Sequence, residues 1–144
     1  MQIKIKYFNE NLPKLEYIGG EEKSNWIDLY AAATVTMQKG SFAKIPLGVA
    51  MELPKGYEAI VAPRSGTYEK FGIRQTNSIG VIDSSFCGPD NQWLFPCTAD
   101  RDTVIKEGFR IAQFRIQKKQ PPVEFIEDSL ENNDNRGSFG STGV

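Results

Sequence analysis

The chain has 144 residues and a formal net charge of −1, which suits a single domain with a sizeable core. A charge so near zero gives no long-range attraction to nucleic acid or to an anionic membrane, so we expect neither as a partner. The absence of histidine excludes Ser-His-Asp and Cys-His nucleophilic sites and the common zinc sites. An enzyme of this composition would use a carboxylate or a lysine as its base, and a metal would be a hard, oxygen-bound ion.

Short segments with alternating or β-branched residues recur along the chain, separated by Gly, Pro, Asn and Asp. They predict strands at Gln2–Tyr7, Thr34–Met37, Phe42–Glu52, Tyr57–Ala62, Ile79–Ile82, Trp93–Phe95, Thr103–Ile105, Arg110–Gln117 and Val123–Ile126. The best helical candidate is short, Gly66–Phe71. This pattern predicts an all-β sandwich or barrel.

The two cysteines, Cys87 and Cys97, have neither C-x-x-C spacing nor secretory flanks. We therefore expect both thiols to be reduced and buried. The N-terminus alternates instead of forming a signal peptide, and no apolar run approaches the ~20 residues of a membrane span. A cytoplasmic protein is the resulting expectation.

The composition becomes polar and glycine-rich from Glu127 onwards. We predict a β-domain over residues 1–127 and a flexible C-terminal arm over residues 128–144. Within this arm, Arg136, Phe139 and the run Gly140–Gly143 place a cation, an aromatic ring and phosphate-friendly backbone within eight residues. Such an arm could become ordered on a ligand.

The segment Pro63–Gly66 follows a predicted strand and opens the predicted helix. It brings the Arg64 guanidinium, the Ser65 hydroxyl and free backbone N–H groups to a helix start, which is phosphate-binding chemistry. The alternative is a structural Arg salt bridge beside a Ser helix cap.

The segment Asn77–Gly88 predicts a hairpin in which a β-branched run ends at Asp83 and an aromatic, Phe86, follows. Asp83 could activate a water molecule, or it could merely cap a turn. Taken alone, Asp28 and Gln113 are more typical of ordinary exposed strand residues.

In their order along the chain, these segments resemble the five motifs of the trimeric dUTPase family. The matching segments are Asp28-Leu29, Pro63–Gly66, Gly80–Gly88, Arg110–Phe114 and Arg136–Gly143. Each motif alone is weak, but five in register over nearly the whole chain are specific.

The sequence also departs from the family pattern. Asn25–Ile27 precede Asp28 where the family has Ala-Gly-x, and Phe86 stands where the family has Tyr. An additional Pro-Asp pair follows Gly88, and the fifth motif is shorter by a residue or two. These departures concern the geometry of the loops and of the arm more than the chemistry.

The resemblance implies a jelly-roll subunit in a homotrimer whose active sites are shared between subunits. It implies Mg²⁺-dependent hydrolysis of dUTP to dUMP and pyrophosphate, which limits uracil incorporation into DNA and supplies dUMP for thymidylate synthesis. Asp83 would be the base that activates water for attack on the α-phosphorus. Asp28 would contact the metal through water. The implied substrate-binding residues are Arg64, Ser65, Gly66 and Gln113 for the phosphates, Asn77, Gly80, Val81, Ile82, Phe86 and Trp93 in the hairpin, and Arg136, Phe139, Gly140, Ser141 and Thr142 in the arm.

Two alternatives share this fold. A dCTP deaminase would need a glutamate shortly after the third motif, and Ser84–Ala99 contains none. A regulatory protein would use a nucleotide-gated trimer surface to hold a protein partner, with or without catalysis. Saturable turnover of dUTP distinguishes an enzyme from a pure binder.

Overall fold

The computed structural model describes residues 1–143, which form eleven strands and one short helix. The elements in chain order are β1 Lys4–Tyr7, β2 Ile27–Tyr30, β3 Val35–Met37, β4 Phe42–Pro46, β5 Val49–Glu52, β6 Tyr57–Pro63, α1 Thr67–Phe71, β7 Ile73–Gln75, β8 Gly80–Ile82, β9 Leu94–Ala99, β10 Thr103–Ile105 and β11 Arg110–Lys118.

The strands pair antiparallel in four small sheets. The largest has the order β2-β11-β6-β8, a second has the order β4-β9-β7, and two ribbons pair β1 with β5 and β3 with β10. Non-consecutive neighbours in these sheets mean that the chain crosses repeatedly between layers. The prediction of an all-β jelly roll with one short helix is confirmed.

The core lies between the sheets and follows from period-two alternation in the strands. In β6, Ala59 and Val61 are buried while their neighbours are partly exposed. Trp93 is fully buried and packs edge-on against Phe114, with ring centroids 5.2 Å apart. Burial of a large apolar side chain of this kind contributes about 1.5–3 kcal/mol.

The predicted strand Phe42–Glu52 is in fact two strands. The chain turns at Gly48, whose φ is +72°, and a Cβ there would lie 2.9 Å from the Cβ of Ala32. As a result β4 pairs with β9, whereas β5 pairs with β1. One apolar run of the sequence therefore contributes strands to two different sheets.

The prediction of a strand at Val123–Ile126 is wrong. The segment has no strand assignment, and Phe125 and Ile126 are 93% and 81% exposed. Alternation becomes a strand only when a neighbouring strand accepts its backbone hydrogen bonds. In residues 1–143 no such neighbour lies beside it.

The prediction that Asn77–Trp93 forms a hairpin is also wrong. Strand β8 pairs with β6, whereas β9 pairs with β4 and β7, so the two strands belong to different sheets. The intervening residues form a connection between layers. Strands β2 and β7 were not predicted.

The two cysteines differ in environment. Cys97 is buried, and desolvation raises the pKa of its thiol to about 11. Cys87 is exposed, so the prediction that both thiols are buried is wrong for Cys87. It lies in the connection after β8, outside the four sheets.

Among residues 1–143, no helix has the length and apolar character needed to cross a membrane.

Candidate functional site

A cleft of about 400 Å³ opens at one end of the sheet β2-β11-β6-β8. Its polar side brings together three of the five segments singled out in the sequence. The lining residues are Ile18, Ser24, Asn25, Trp26, Asp28, Arg64, Ser65 and Gln113.

Strand register places Asp28 beside Gln113. The two are direct partners in the β2–β11 pair, and their inward-facing neighbours Leu29 and Phe114 are buried in the core. Both polar side chains therefore lie on the outer face of the sheet. The Gln113 amide donates from Nε2 to the Pro63 carbonyl at 3.0 Å, which ties β11 to the end of β6.

Arg64 follows β6 and turns its guanidinium towards Asp28. The Nε atom of Arg64 lies 3.1 Å from Oδ2 of Asp28, and Nη1 of Arg110 lies 3.2 Å from the same oxygen. Asp28 is only 9% exposed, so its carboxylate is largely desolvated. Two guanidinium groups on one carboxylate offset that desolvation and leave a net positive charge on the wall of the cleft.

The backbone after Arg64 presents free polar groups to the cleft. Thr67 is the first residue of α1 and Gly66 is its N-cap, without a side-chain capping bond. Ser65 is exposed. The helix start therefore offers a hydroxyl and backbone N–H groups of the kind that bind phosphate, and phosphate binding here stays a prediction. The salt bridge of the alternative interpretation is present as the Arg64–Asp28 pair.

A second, smaller cavity of about 210 Å³ lies where the chain leaves β8 and enters β9. Its lining residues are Val81, Ile82, Phe86, Gln92, Trp93 and Leu94. Sites for drug-sized molecules measure about 300–1,000 Å³, so this volume suits a group the size of a nucleobase.

Trp93 lines this cavity, but its side chain is fully buried and its ring packs against Phe114. Its main structural role is therefore in the core, which the sequence prediction of a substrate-binding residue did not anticipate. Phe86 is 39% exposed and available at the cavity.

Asp83 directly follows β8 and is exposed. Its carbonyl accepts the N–H of Phe86 at 3.0 Å, which closes a turn and leaves the carboxylate outside it. Asn77 is exposed in the turn before β8, where the Ile79 N–H donates to its carbonyl.

Within one chain, Asp83 and Arg64 are far apart. The register pairs Val61 with Gly80 and Ala59 with Ile82, so β8 runs away from the cleft. One further step places Asp83 beside Glu58, six residues before Arg64 along β6. At about 3.3 Å per residue, the separation along the strand is roughly 20 Å.

The predicted arm residues lie apart from both cavities. Residues 121–143 are exposed, and their described hydrogen bonds are local, such as Asn133 N–H to the Leu130 carbonyl. Phe139 is fully exposed, and Arg136 is exposed as well. Val144, the last residue of the predicted arm, lies outside the described residues.

Comparison with known proteins assigns the family. The family model described as dUTPase matches residues 20–143, which is most of the chain. The chain belongs to the dUTPase family. The SPbeta prophage-derived deoxyuridine 5'-triphosphate nucleotidohydrolase YosS of Bacillus subtilis strain 168 is 54% identical over 144 residues, covering 100% of this chain and 99% of the relative.

Solved dUTPase structures share the fold. A variant of the Staphylococcus bacteriophage 80alpha dUTPase with dUpNHpp superposes with a TM-score of 0.81 at 23% identity, over 99% of each chain. A variant of the dUTPase from phage phi11 of S. aureus, described with a structural Mg(II) ion, has a TM-score of 0.74 at 19% identity, over 90% of this chain and 99% of the other.

Three residues near the dUTPase cleft were missed as site residues in the sequence. Trp26 lines the cleft, Arg110 shares the Asp28 carboxylate, and Thr67 contacts the backbone of Arg64. Only Arg110 carried a sequence signal, since it begins the fourth motif. Among residues 1–143 no three His, Cys, Asp or Glu side chains form a metal-binding cluster.

Proposed function

We propose that the protein is a dUTP diphosphatase that hydrolyses dUTP to dUMP and pyrophosphate. The cleft formed by Arg64, Ser65 and Gln113, in a chain that matches the dUTPase family over residues 20–143, carries this proposal. The guanidinium, hydroxyl and amide bind phosphate oxygens. The positive charge left on the cleft wall stabilises the charge that develops on those oxygens during in-line attack.

Asp83 is the general base of the proposed reaction. Its exposed carboxylate accepts a proton from a water molecule as that water attacks the α-phosphorus. The leaving group is pyrophosphate, whose oxygens stay bound to Arg64 and Ser65 until release.

The cavity beside β8 binds the nucleoside. Backbone groups of Val81 and Ile82 and the amide of Asn77 read the edge of uracil, and cytosine would leave those groups unpaired. Gly80 keeps this strand close to β6, because a Cβ there would lie 3.1 Å from the Val61 side chain. Phe86 lies against the sugar and leaves no room for a 2′-hydroxyl.

The proposed cofactor is Mg²⁺, held mainly by triphosphate oxygens and water. Such an ion needs few protein ligands when the triphosphate and water supply the rest, and Asp28 offers one carboxylate to the cleft. Asp28 would hold the ion through water, and the ion would neutralise phosphate charge. The ion pair of Asp28 with Arg64 supports this outer position over direct ligation.

The proposed assembly is a homotrimer with shared sites. A separation of roughly 20 Å prevents Asp83 and Arg64 of one chain from acting on the same phosphorus. A second copy of the chain therefore supplies one of them. The exposed arm closes the site as a lid. In the closed site, Arg136 contacts the terminal phosphate and Phe139 stacks over uracil. Gly140, Ser141 and Thr142 lie along the phosphates.

Pyrophosphate release measured with dUTP, dCTP, dTTP and UTP tests the activity. We expect saturable hydrolysis of dUTP and little of the others. Binding of dUTP without turnover would instead favour the regulatory protein that holds a partner, and release of ammonia from dCTP would favour a deaminase.

Hybrid trimers test the sharing of sites. We expect Asp83→Asn and Arg64→Ala to be inactive alone, and a refolded one-to-one mixture to recover activity in roughly a quarter of sites, since independent placement combines an intact Asp83 with an intact Arg64 from another chain. A mixture as inactive as its parents would place both groups in one chain. Refolding each parent separately controls for loss of protein.

A further inference from the structure

Three contacts, to β11, β2 and α1, hold Arg64 in place. The guanidinium of Arg64 donates from Nη1 to the Arg110 carbonyl at 3.3 Å and from Nε to Asp28. Its backbone N–H donates to Oγ1 of Thr67 at 2.9 Å. The Thr67 hydroxyl in turn donates to the Ile111 carbonyl at 2.9 Å.

The contact to the Arg110 carbonyl and the one relayed by Thr67 to Ile111 both end at the start of β11, where the strand is irregular. Arg110 pairs with Tyr30 and Ala112 pairs with Leu29, so Ile111 is an additional residue in β11 relative to β2. This is the pattern of a β-bulge, which changes the direction of side chains and carbonyl groups near functional sites. Here the bulge lets the Arg110 carbonyl accept from the Arg64 side chain and the Ile111 carbonyl accept from the Thr67 hydroxyl.

Arg110 contacts both members of the Asp28–Arg64 ion pair. Its side chain donates to Asp28 at 3.2 Å, and its carbonyl accepts from Arg64. A guanidinium with a free choice of rotamers would lose several degrees of freedom on binding phosphate. A guanidinium held on two sides is oriented before the substrate arrives.

We propose that Arg110 and the β-bulge at Arg110–Ala112 position the guanidinium of Arg64, while Thr67 holds the backbone of Arg64. This inference rests on the proposed role of Arg64 in dUTP hydrolysis. Arg110 acts through Asp28 and Arg64 and touches no substrate. Loss of Arg110 leaves Arg64 able to bind phosphate but unable to keep the orientation that the transition state requires.

The test compares Arg110→Met with Arg110→Lys. We expect Arg110→Met to lower kcat by about 10- to 100-fold, because a charge-assisted contact and the alignment it maintains are lost. KM should change by less than about threefold, since Arg64 still meets the phosphates. Arg110→Lys should recover most of kcat, because one donor suffices for the single contact to Asp28.

A matched control is Arg74→Met. Arg74 also pairs with an aspartate, Asp100, but on the exposed surface near α1 and outside the cleft. We expect its kinetics to equal those of the wild type. A fall in kcat in this control as large as in Arg110→Met would make the effect a general consequence of losing a surface arginine and would overturn the proposal.

A double-mutant cycle separates positioning from general destabilisation. In an Arg64→Lys background, which keeps a cation for the phosphates but lacks the planar guanidinium that Arg110 orients, Arg110→Met should cause almost no further loss of kcat. An additional loss of the full 10- to 100-fold would overturn the proposal. If Arg110→Met does not fold, the pair Thr67→Val and Thr67→Ser replaces it, with the serine variant expected to retain activity.

A spectroscopic measurement needs no turnover and stays valid if dUTP is not the substrate. In ¹⁵N-labelled protein, the Nε–H of Arg64, assigned by its absence in Arg64→Ala, should be sharp and protected from exchange in the wild type and in Arg110→Lys. It should lose protection in Arg110→Met. Equal protection in all three would overturn the positioning role, whereas absence of dUTP hydrolysis by the wild type would overturn only the proposed function.

Discussion

The proposed phosphate cleft and the C-terminal arm differ in how their geometry is set. In the cleft, Asp28, Arg64 and Gln113 are each fixed by hydrogen bonds or ion pairs to neighbouring strands. In the arm, residues 121–143 are exposed and their described hydrogen bonds are local. The cleft has its geometry before a ligand arrives, whereas the arm must acquire its geometry from a ligand or from another chain. In the proposed enzyme, the sheet therefore places the charges precisely, and the arm closes over them.

Asp83 belongs to neither region, and its removal should have the largest effect. We expect Asp83→Asn to lower kcat for dUTP by a factor of ~10² or more, because an amide cannot accept the proton of water. The fold and the affinity for a non-hydrolysable dUTP analogue should persist. Steady-state pyrophosphate release measures kcat, and titration with the analogue measures the affinity. Asp90→Asn is the matched control, because Asp90 is exposed in the same connection between β8 and β9. Wild-type turnover in Asp83→Asn would exclude Asp83 as the base.

Deletion of residues 134–144 tests the arm. We expect kcat/KM to fall by about 10²-fold through loss of Arg136 and Phe139, because an open site leaves the substrate imperfectly aligned and exposed to water. The melting temperature and the oligomeric state should not change, since these residues up to 143 are exposed. Activity, calorimetry and light scattering provide the comparison. A large drop in melting temperature would show that the arm is part of the folded body.

Phe86→Ala sharpens the contrast between the cleft and the nucleoside cavity. We expect the ratio of kcat/KM for dUTP over UTP to fall roughly tenfold, because removal of the ring opens space beside C2′. Binding of pyrophosphate, which reports on the cleft, should stay constant. Phe42→Ala is a suitable control, since it removes another partly exposed phenyl ring outside the cavity. An unchanged sugar preference would assign the exclusion of ribose to another group.

The smallest expected effect concerns acid stability of the body. A hydrogen bond from Tyr68 and then bonds from Arg74 lower the pKa of Asp100. Because the folded pKa lies below that of the unfolded chain, this cluster stabilises the protein above the ordinary aspartate pKa of about 3.9, and the contribution is lost as pH falls through the lower folded value. The Asp100 side chain is only partly buried, at 30% exposure, so solvent screens these contacts and the effect is small.

Urea unfolding between pH 2 and 6 measures the contribution of the Asp100 cluster to stability. Near pH 6, we expect the wild type to have a higher urea midpoint of unfolding than Asp100→Asn. Near pH 2, the two midpoints should be equal. The chain that lacks residues 134–144 should show the same acid dependence as the full chain, because the cluster belongs to the body. A constant difference across the pH range would remove Asp100 as the titrating group.

The sequence by itself determined the all-β class, the five ordered motifs and most strand positions. These features depend on local information: alternation of side chains, turn residues and short motifs whose chemistry is visible in consecutive residues. Pro63–Gly66 could be predicted to open a helix after a strand, because strand, guanidinium, hydroxyl and helix start follow one another directly. The fold of the subunit could be predicted on that basis, and the motifs supplied four of the cleft residues, Asp28, Arg64, Ser65 and Gln113.

Only the tertiary structure decided which of these local features meet. Register between β6 and β8 places Asp83 far from Arg64, and the bulge in β11 makes Arg110 a neighbour of the Asp28–Arg64 pair. Neither follows from sequence spacing, because a one-residue change in strand register or a single bulge changes every cross-strand partner. The same reason explains the failure at Val123–Ile126: a strand requires a partner, and its partner is set by the arrangement of other chain segments and not by its own residues.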